Sequence, residues 1–348
     1  MNRRVQDFAY RWWDGQFGVV GAFLTLLLTP ISSLWGAVAW SKAFCYTQRG
    51  AMGVDGLTVV SVGNLAVGGT GKTPVSSWVA SVLADSGANP ALLLNGYGRD
   101  EELLHRAWTP DLTIESGRDR IVAARRARDA GCDVAVLDDG YQHQRLARAL
   151  NILLVSAEDR FPGRLLPCGP YREGPTALDR TDVLLVTRRI VPGDFSREQV
   201  KIVRSLPGVA EDLVAGGVWL APGGVVQLTP GWRPASGRGE DVRALSDLWD
   251  PLVLTAIARP MPLIAQVMAV CERADLIAFG DHYEFTREDA EKARRRAKSR
   301  PLLVTEKDAV KLEPFADVLT DTWVLSQRIV WDWGEQDVRD AILTVVGR

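Results

Sequence analysis

From Gly15 to Ser41 no residue is charged, and the run contains FGVVGAFLTLLLTPISSLWGAVAW. About 20 apolar residues suffice for a helix to cross a bilayer, so the segment is long enough to do so. Pro30 divides it, and Thr25, Thr29, Ser32 and Ser33 dilute its middle. Arg3, Arg4 and Arg11 precede it, Trp12 and Trp13 stand at its entrance, and Trp35 and Trp40 lie near its exit. Basic residues and Trp in those places suit a headgroup interface. A signal peptide fits less well, because no small-residue cleavage site clearly follows and the apolar stretch is too long. Three placements stay open: an anchor on or half inserted into the membrane surface, which is favoured, a full span, and a buried hairpin.

Beyond Gly53 the pattern turns to short apolar runs alternating with helical spacing. Leu57–Val62 reads as a buried strand, being short, β-branched and bounded by Gly56 and Gly63. Val75, Trp78, Val79, Val82 and Leu83 then recur at helical spacing, and Gly87 supplies the stop. Ala91–Leu94, Val134–Leu137, Ile152–Val155 and Val183–Thr187 give four more strands, and Arg118–Ala130 a basic-faced helix closed by Gly131. Such alternation predicts an α/β fold with a parallel sheet covered by helices on both faces.

Around Gly216–Gly239 two short strands, GGVWLA and GVVQLT, are separated by Gly and Pro turns and read as a β-ribbon. A second, smaller α/β lobe follows, with strands LVLTAI, DLIAF, PLLVT and WVLS and helices over 262–274, 286–298 and 335–346. The expected division is an N-terminal segment over 1–46, a first domain over 47–212, the ribbon over 213–250 and the second lobe over 251–348. A chain of 348 residues is long enough for two such cores.

The balance of 41 Lys+Arg against 43 Asp+Glu excludes a strongly basic nucleic-acid binder. Arg294-Arg295-Arg296 reads accordingly as a solvated helix face. Cys45, Cys132, Cys168 and Cys271 are scattered with no C-x-x-C pair, against a disulfide framework or a Cys-based zinc site.

The strongest chemical signal is AVGGTGKT, Ala66–Thr73, between a strand and a helix. A phosphate-binding loop needs glycines so that successive backbone N–H groups can point at one anion. It also needs a lysine for the β- and γ-phosphates, here Lys72, and a hydroxyl for Mg²⁺, here Thr73. Ala66 departs from the strict pattern, which has Gly there. The second signal is VAVLDDGYQH, Val134–His143: a strand ending in Asp downstream of a phosphate loop is where a Mg²⁺-positioning carboxylate sits. Asp138 and Asp139 are both candidates, with a plain Asp-Gly turn capped by Asp139 as the alternative. His143 is ambiguous between core and rim. A guanine-specific GTPase is disfavoured, because Leu137 stands where D-x-x-G needs Asp, and N-K-x-D is absent. Phosphoryl transfer or an ATP-powered process remains.

SVGNLAVGGTGKTP (Ser61–Pro74), LDDGYQH (Leu137–His143), RLLPCGPYRE (Arg164–Glu173), FGDHYEFT (Phe279–Thr286) and TEKDAVKL (Thr305–Leu312) occur in the order seen in tetraacyldisaccharide 4'-kinases. The chain resembles this family, the lipid A 4'-kinases of Gram-negative envelope synthesis, over nearly its whole length. The resemblance implies a P-loop kinase that moves the γ-phosphate of ATP to the 4'-hydroxyl of a tetraacyldisaccharide 1-phosphate, giving lipid IVA. It implies a monotopic or peripheral enzyme on the cytoplasmic face of the bacterial inner membrane, meeting a glycolipid at the membrane surface. ATP and Mg²⁺ are the implied cofactors, no nucleic acid is involved, and a monomer is expected.

On this resemblance Gly68, Gly69, Thr70, Gly71, Lys72 and Thr73 would cradle the ATP phosphates, and Thr73, Asp138 and Glu173 would serve Mg²⁺. Lys72 and Asp139 would act in transfer. Arg172 and Glu173 match the family's R-E, with a surface ion pair as the alternative. The family's proton-accepting Asp-His pair would map to His282 and to an Asp in a G-D-E-P stretch, with His282 otherwise a mere cap of the next helix. That stretch falls here on Gly117-Arg118-Asp119-Arg120 and is not intact; Asp119 is favoured for the role, with Asp100 as alternative. The family's R-G-Y-G is here Asn95-Gly96-Tyr97-Gly98. A membrane-associated ATPase, or an altered relative acting on another substrate or only binding one, is the competing reading.

Overall fold

A computed structural model describes residues 3–96, 99–234 and 242–347. Tyr97 and Gly98, and part of the expected ribbon, lie outside the described residues. In chain order the elements are α1 (Arg3–Trp13), α2 (Gly18–Arg49), β1 (Thr58–Asn64), α3 (Lys72–Asp85), β2 (Pro90–Leu94) and α4 (Arg99–Trp108). Next come β3 (Thr113–Ser116), α5 (Arg120–Asp129), β4 (Val134–Asp138), β5 (Leu150–Ser156), β6 (Val183–Arg188) and α6 (Asp194–Arg204). The remainder is β7 (Val214–Gln227), β8 (Leu252–Thr255), α7 (Pro260–Met268), β9 (Asp275–Ala278), α8 (Arg287–Ala297), β10 (Leu302–Thr305), α9 (Glu306–Leu312), β11 (Thr322–Trp333) and α10 (Glu335–Thr344).

The chain forms two compact units, neither of them contiguous. The larger holds Asn2–Tyr97, Leu112–Val218 and Trp331–Arg348; the smaller holds Gly98–Asp111 and Trp219–Val330. The expected boundaries differ from this in three ways. The N-terminal helices belong to the larger unit, α4 joins the smaller one although it lies between β2 and β3, and α10 returns to the larger.

In the larger unit the strand order is β3-β2-β4-β1-β5-β6-β7. Neighbouring strands from β3 to β6 run parallel. The strands are buried on both faces, which is why they read as continuous apolar runs rather than alternating ones. α5 contributes Ile121, Ala124 and Ala127 to one core with Val59, Leu93 and Leu137 from three adjacent strands. α3 packs against β1, β2 and β4, and α10 packs in turn on α3. In the smaller unit the order is β7-β11-β10-β8-β9, with β9, β8, β10 and β11 parallel.

β7 corrects the expected ribbon: it is one 14-residue strand, not two short ones. Its glycines serve close approach rather than turning. A Cβ at Gly223 would collide with Ser326, and one at Gly224 with Val242.

α2 is one 32-residue helix that continues through Pro30. Val19, Val20, Phe23, Leu26, Leu27, Ile31, Leu34 and Val38 are exposed along it, so the buried-hairpin placement is excluded. Its other side is small or polar and is tied to the 165–172 segment. Ser32 Oγ donates to the Leu165 carbonyl at 3.0 Å and Trp35 Nε1 to that of Arg172 at 3.0 Å; Trp13 Nε1, from α1, reaches Pro167 at 2.9 Å. A Cβ on Gly36 would stand 2.7 Å from Leu165. The apolar residues therefore face outward and the small ones inward, the reverse of a soluble helix.

Candidate functional site

β1 and β4 lie side by side in parallel, with Val62 level with Asp138, so both deliver their loops to the carboxyl end of the sheet. After β1 the chain turns through 65–71 and enters α3 at Lys72. Gly68 (φ +117°) and Gly71 (φ +88°) occupy a region that L side chains avoid, which is what the glycine spacing required. Asn64 Nδ2 donates to Thr70 Oγ1 at 2.9 Å, and Thr187 Oγ1 to the Thr70 carbonyl at 2.9 Å, so the loop is braced from two strand ends. Neither brace was foreseen from the sequence. A polar residue at the end of a buried strand was the available signal.

Lys72 Nζ donates to the Gly68 carbonyl at 3.4 Å and stands 3.7 Å from Asp139 Oδ1. The other Asp139 oxygen lies 3.7 Å from Arg172 Nη1, which also donates to Gln142 Oε1 at 3.3 Å. Asp139 holds a left-handed backbone (φ +54°), and Gly140 after it is packed 2.8 Å, counted from a would-be Cβ, from Ser61 Oγ. Asp138 is buried at the end of β4, and its carbonyl accepts from Arg120 Nη2 at 3.1 Å.

The segment bearing Arg172 and Glu173 is laid directly on the phosphate loop. Arg172 N–H donates to the Leu65 carbonyl at 2.7 Å, and Val67 N–H to that of Pro170 at 2.8 Å. Glu173 Oε2 accepts from Arg180 at 2.7 Å, whereas Oε1 is buried and makes no hydrogen bond among the described residues. The larger unit thus brings together Lys72, Asp139 and Arg172 beside the loop, with Asp138 at the end of the adjoining strand and Glu173 next to Arg172 in the chain.

Asp119 is not part of any such cluster. It is the exposed N-cap of α5, its Oδ1 accepting from the Ile121 and Val122 N–H groups at 2.9 and 3.3 Å. Those two backbone bonds hold its carboxyl below the usual range. The favoured sequence assignment is therefore corrected: the carboxylate beside His282 is Asp100.

In the smaller unit His282 Nδ1 lies 3.0 Å from both Asp100 oxygens. Asp100 sits in the first turn of α4 with its side chain 1% exposed; that of His282 is 38% exposed. Burial alone would raise the Asp100 pKa. The hydrogen bond to His282 and the charges of Lys307, His282 and Lys311 outweigh it and hold the carboxyl well below the carboxylate range. The same bond to Asp100 raises the His282 pKa, against burial and the charge of Lys307. His282 takes a left-handed backbone (φ +57°) and caps nothing: the cap of α8 is Thr286, in a capping box with Asp289.

A glycine loop joining a buried parallel strand to a helix, a lysine at the helix start and paired carboxylates on the neighbouring strand define a phosphate-loop α/β protein. The family model for Tetraacyldisaccharide-1-P 4'-kinase matches residues 24–113 and 100–347. The tetraacyldisaccharide 4'-kinase of Xanthomonas campestris pv. campestris (strain 8004) is 32% identical over 314 residues, covering 84% of each chain. That of Anaeromyxobacter dehalogenans (strain 2CP-C) is 33% identical over 339 residues, covering 87% of this chain and 85% of the other. The crystal structure of LpxK from Aquifex aeolicus in complex with ATP shares the fold, with a TM-score of 0.68 at 22% identity over 92% of this chain and 99% of that one. The chain belongs to the tetraacyldisaccharide-1-P 4'-kinase family.

Proposed function

We propose that this chain transfers the γ-phosphate of ATP to the 4'-hydroxyl of a tetraacyldisaccharide 1-phosphate, giving lipid IVA, at the cytoplasmic face of the inner membrane. Family membership supports the reaction, and the Asp100–His282 pair carries the assignment of roles. The loop 68–73 and the N-terminus of α3 bind the ATP phosphates through backbone N–H groups and Lys72. Asp139, between Lys72 and Arg172, keeps both cations aimed at that site.

The hard-oxygen set of Thr73, Asp138 and Glu173 fits Mg²⁺, and the buried Glu173 Oε1 without a hydrogen bond supports this. No cluster of three His, Cys, Asp or Glu able to hold a metal by itself occurs among the described residues. When bound, Mg²⁺ neutralises charge on the transferring phosphate.

The acceptor hydroxyl must lose its proton as its oxygen bonds to phosphorus. Asp100 is buried and His282 half-exposed, so the imidazole is the member of the pair open to an acceptor. His282 Nε2 makes no hydrogen bond among the described residues, with Asp281 Oδ2 at 3.6 Å. Nε2 takes the proton, and Asp100 holds Nδ1–H and balances the imidazolium.

α2 is the membrane element: Gly18–Tyr46 is long and apolar enough to cross a bilayer. Its attachment to the 165–172 segment supports a helix lying along the protein at the interface. A cavity of about 390 Å³ opens beside it, with Trp35, Val38 and Leu166 as an apolar wall and Lys42, Gln142 and Arg172 as a polar edge. We read it as the place where a glycolipid's chain meets its charged head.

The test is label transfer from γ-labelled ATP to the tetraacyldisaccharide 1-phosphate in detergent micelles. Transfer that disappears in Lys72→Ala is expected. ATP binding without transfer to the lipid would overturn the reading.

A further inference from the structure

The stretch Thr305–Leu312 has no task in the reaction described so far. It forms α9, and its side chains converge on the pair formed by Asp100 and His282. Asp308 is fully buried and anchors the helix: it accepts from Thr255 Oγ1 at 2.6 Å, Ala256 N–H at 2.8 Å and Thr305 Oγ1 at 2.7 Å. From this fixed base Lys307 and Lys311, one helical turn apart, both reach Asp100 Oδ2, at 3.5 and 3.7 Å. Lys311, its side chain 2% exposed, also donates to the carbonyl of Tyr283, the residue after His282, at 3.2 Å. Glu306 Oε1 accepts from Trp108 Nε1 at 3.1 Å, at the far end of α4. α9 therefore grips both ends of the helix bearing Asp100 and the backbone next to His282.

That backbone needs support. A non-glycine residue at φ +57° is held there by its surroundings, not by its own preference. The charges around the pair are also counted closely. Lys307 faces Asp100, Glu101 at 3.8 Å and Asp281 at 3.7 Å, while Lys311 faces Asp100 and Asp308 at 3.9 Å. Four carboxylates against two ammonium groups leave the cluster anionic, so a proton arriving on His282 is still welcome.

We propose that Lys307 and Lys311 are positioning residues for phosphoryl transfer: they pin the Asp100 carboxylate against His282 Nδ1–H, leaving Nε2 turned to the acceptor hydroxyl. The inference rests on the assignment of Asp100 and His282 as the proton-accepting pair. The proton goes from the hydroxyl oxygen to Nε2, the oxygen–phosphorus bond forms, the bond to the ADP oxygen breaks, and neither lysine gains or loses a proton.

The experiment compares Lys307→Met, Lys307→Arg, Lys311→Met, Asp100→Asn and His282→Ala in the full chain, with Mg²⁺-ATP and the tetraacyldisaccharide 1-phosphate in micelles. For Lys307→Met kcat should fall about 10- to 100-fold with both KM values within about twofold, a cost typical of misplaced catalytic groups. Lys307→Arg should recover most of it. Removing the ammonium that repels the imidazolium should also move the acid limb of kcat/KM to higher pH. In an Asp100→Asn background Lys307→Met should add little, since both act through one carboxylate. A folded Lys307→Met with unchanged kcat, or with an unmoved acid limb, would overturn the proposal whatever becomes of Lys311→Met. Wild-type kcat in both Asp100→Asn and His282→Ala would instead overturn the pair itself and the proposal with it.

Discussion

Asp100→Asn keeps the shape of the side chain and removes its charge. The carboxylate faces His282 Nδ1 with both oxygens at 3.0 Å. An amide in its place can turn its NH₂ toward Nδ1 and favour the tautomer in which Nε2 carries the proton and cannot accept another. A general base contributes about 10²–10⁴-fold, so a fall in kcat of about 10³-fold is expected. Stability should suffer less. Lys307 keeps Glu101 and Asp281, and Lys311 keeps Asp308. The cost should therefore be about 1–2 kcal/mol, below the 3–5 typical of a fully orphaned buried charge. The pH profile gives an independent sign. Asp100 raises the His282 pKa above its ordinary 6.5, so wild-type kcat/KM should fall with acid through a value above 6.5. In Asp100→Asn that limb should move to lower pH. The assay is initial-rate label transfer between pH 5.5 and 9, with circular dichroism as the folding control. Asp119→Asn, which keeps the cap of α5, should stay within about twofold of wild type, and Asp119→Ala should lower stability slightly without changing transfer. A loss of 10²-fold or more in Asp119→Asn, with wild-type kcat in Asp100→Asn, would refute the reasoning.

Glu173→Gln should raise the Mg²⁺ concentration for half-maximal transfer by about threefold or more, and chelation should stop transfer in every variant, both read by Mg²⁺ titration. Leu26→Asp with Leu27→Asp should abolish co-flotation with anionic vesicles, because each exposed side chain of that size contributes about 1.5–3 kcal/mol when buried in lipid. Glu306 is buried, which pushes its pKa from 4.5 to about 7 despite bonds from Trp108 and Gln327. Its folded form binds a proton more tightly than its unfolded form, so the contribution of Glu306 to stability is full below about pH 4.5 and is lost as pH rises through about 7. Glu306→Gln should flatten that slope in urea titrations at pH 5 and 8.

Where local chemistry dictates local structure, the sequence could be read directly. The phosphate loop announced itself because only glycine tolerates the backbone at Gly68 and Gly71, and the strands of the larger unit because burial on both faces makes them uniformly apolar. β7 reads as a ribbon in the sequence because glycines that admit Ser326 and Val242 look like turn glycines until the neighbours are known. α4 carries no helical signature in the sequence because RDEELLHRAW mixes charge into every turn. The choice between Asp119 and Asp100 as the partner of His282 could not be made from the sequence for a related reason. Asp100 and His282 are 182 positions apart, and no pattern along the chain distinguishes a buried Asp paired with a distant His from a helix cap such as Asp119.

The discontinuity of the larger unit has a consequence for the order of events during synthesis. Its final piece begins at Trp331, whose ring lies 4.9 Å from that of Trp78 on α3, and continues into α10, where Arg339 sits 5.3 Å above the same Trp78 ring. A ribosome that has made 330 residues has delivered every group proposed to hold nucleotide, yet not the support that backs the phosphate-loop helix. At about 5–20 residues per second, roughly 15–60 s separate the completion of α2 from that of the last turn of α10. The long apolar helix α2 is therefore finished well before the segment that backs the phosphate-loop helix, and packing around α3 is complete only once α10 has been made.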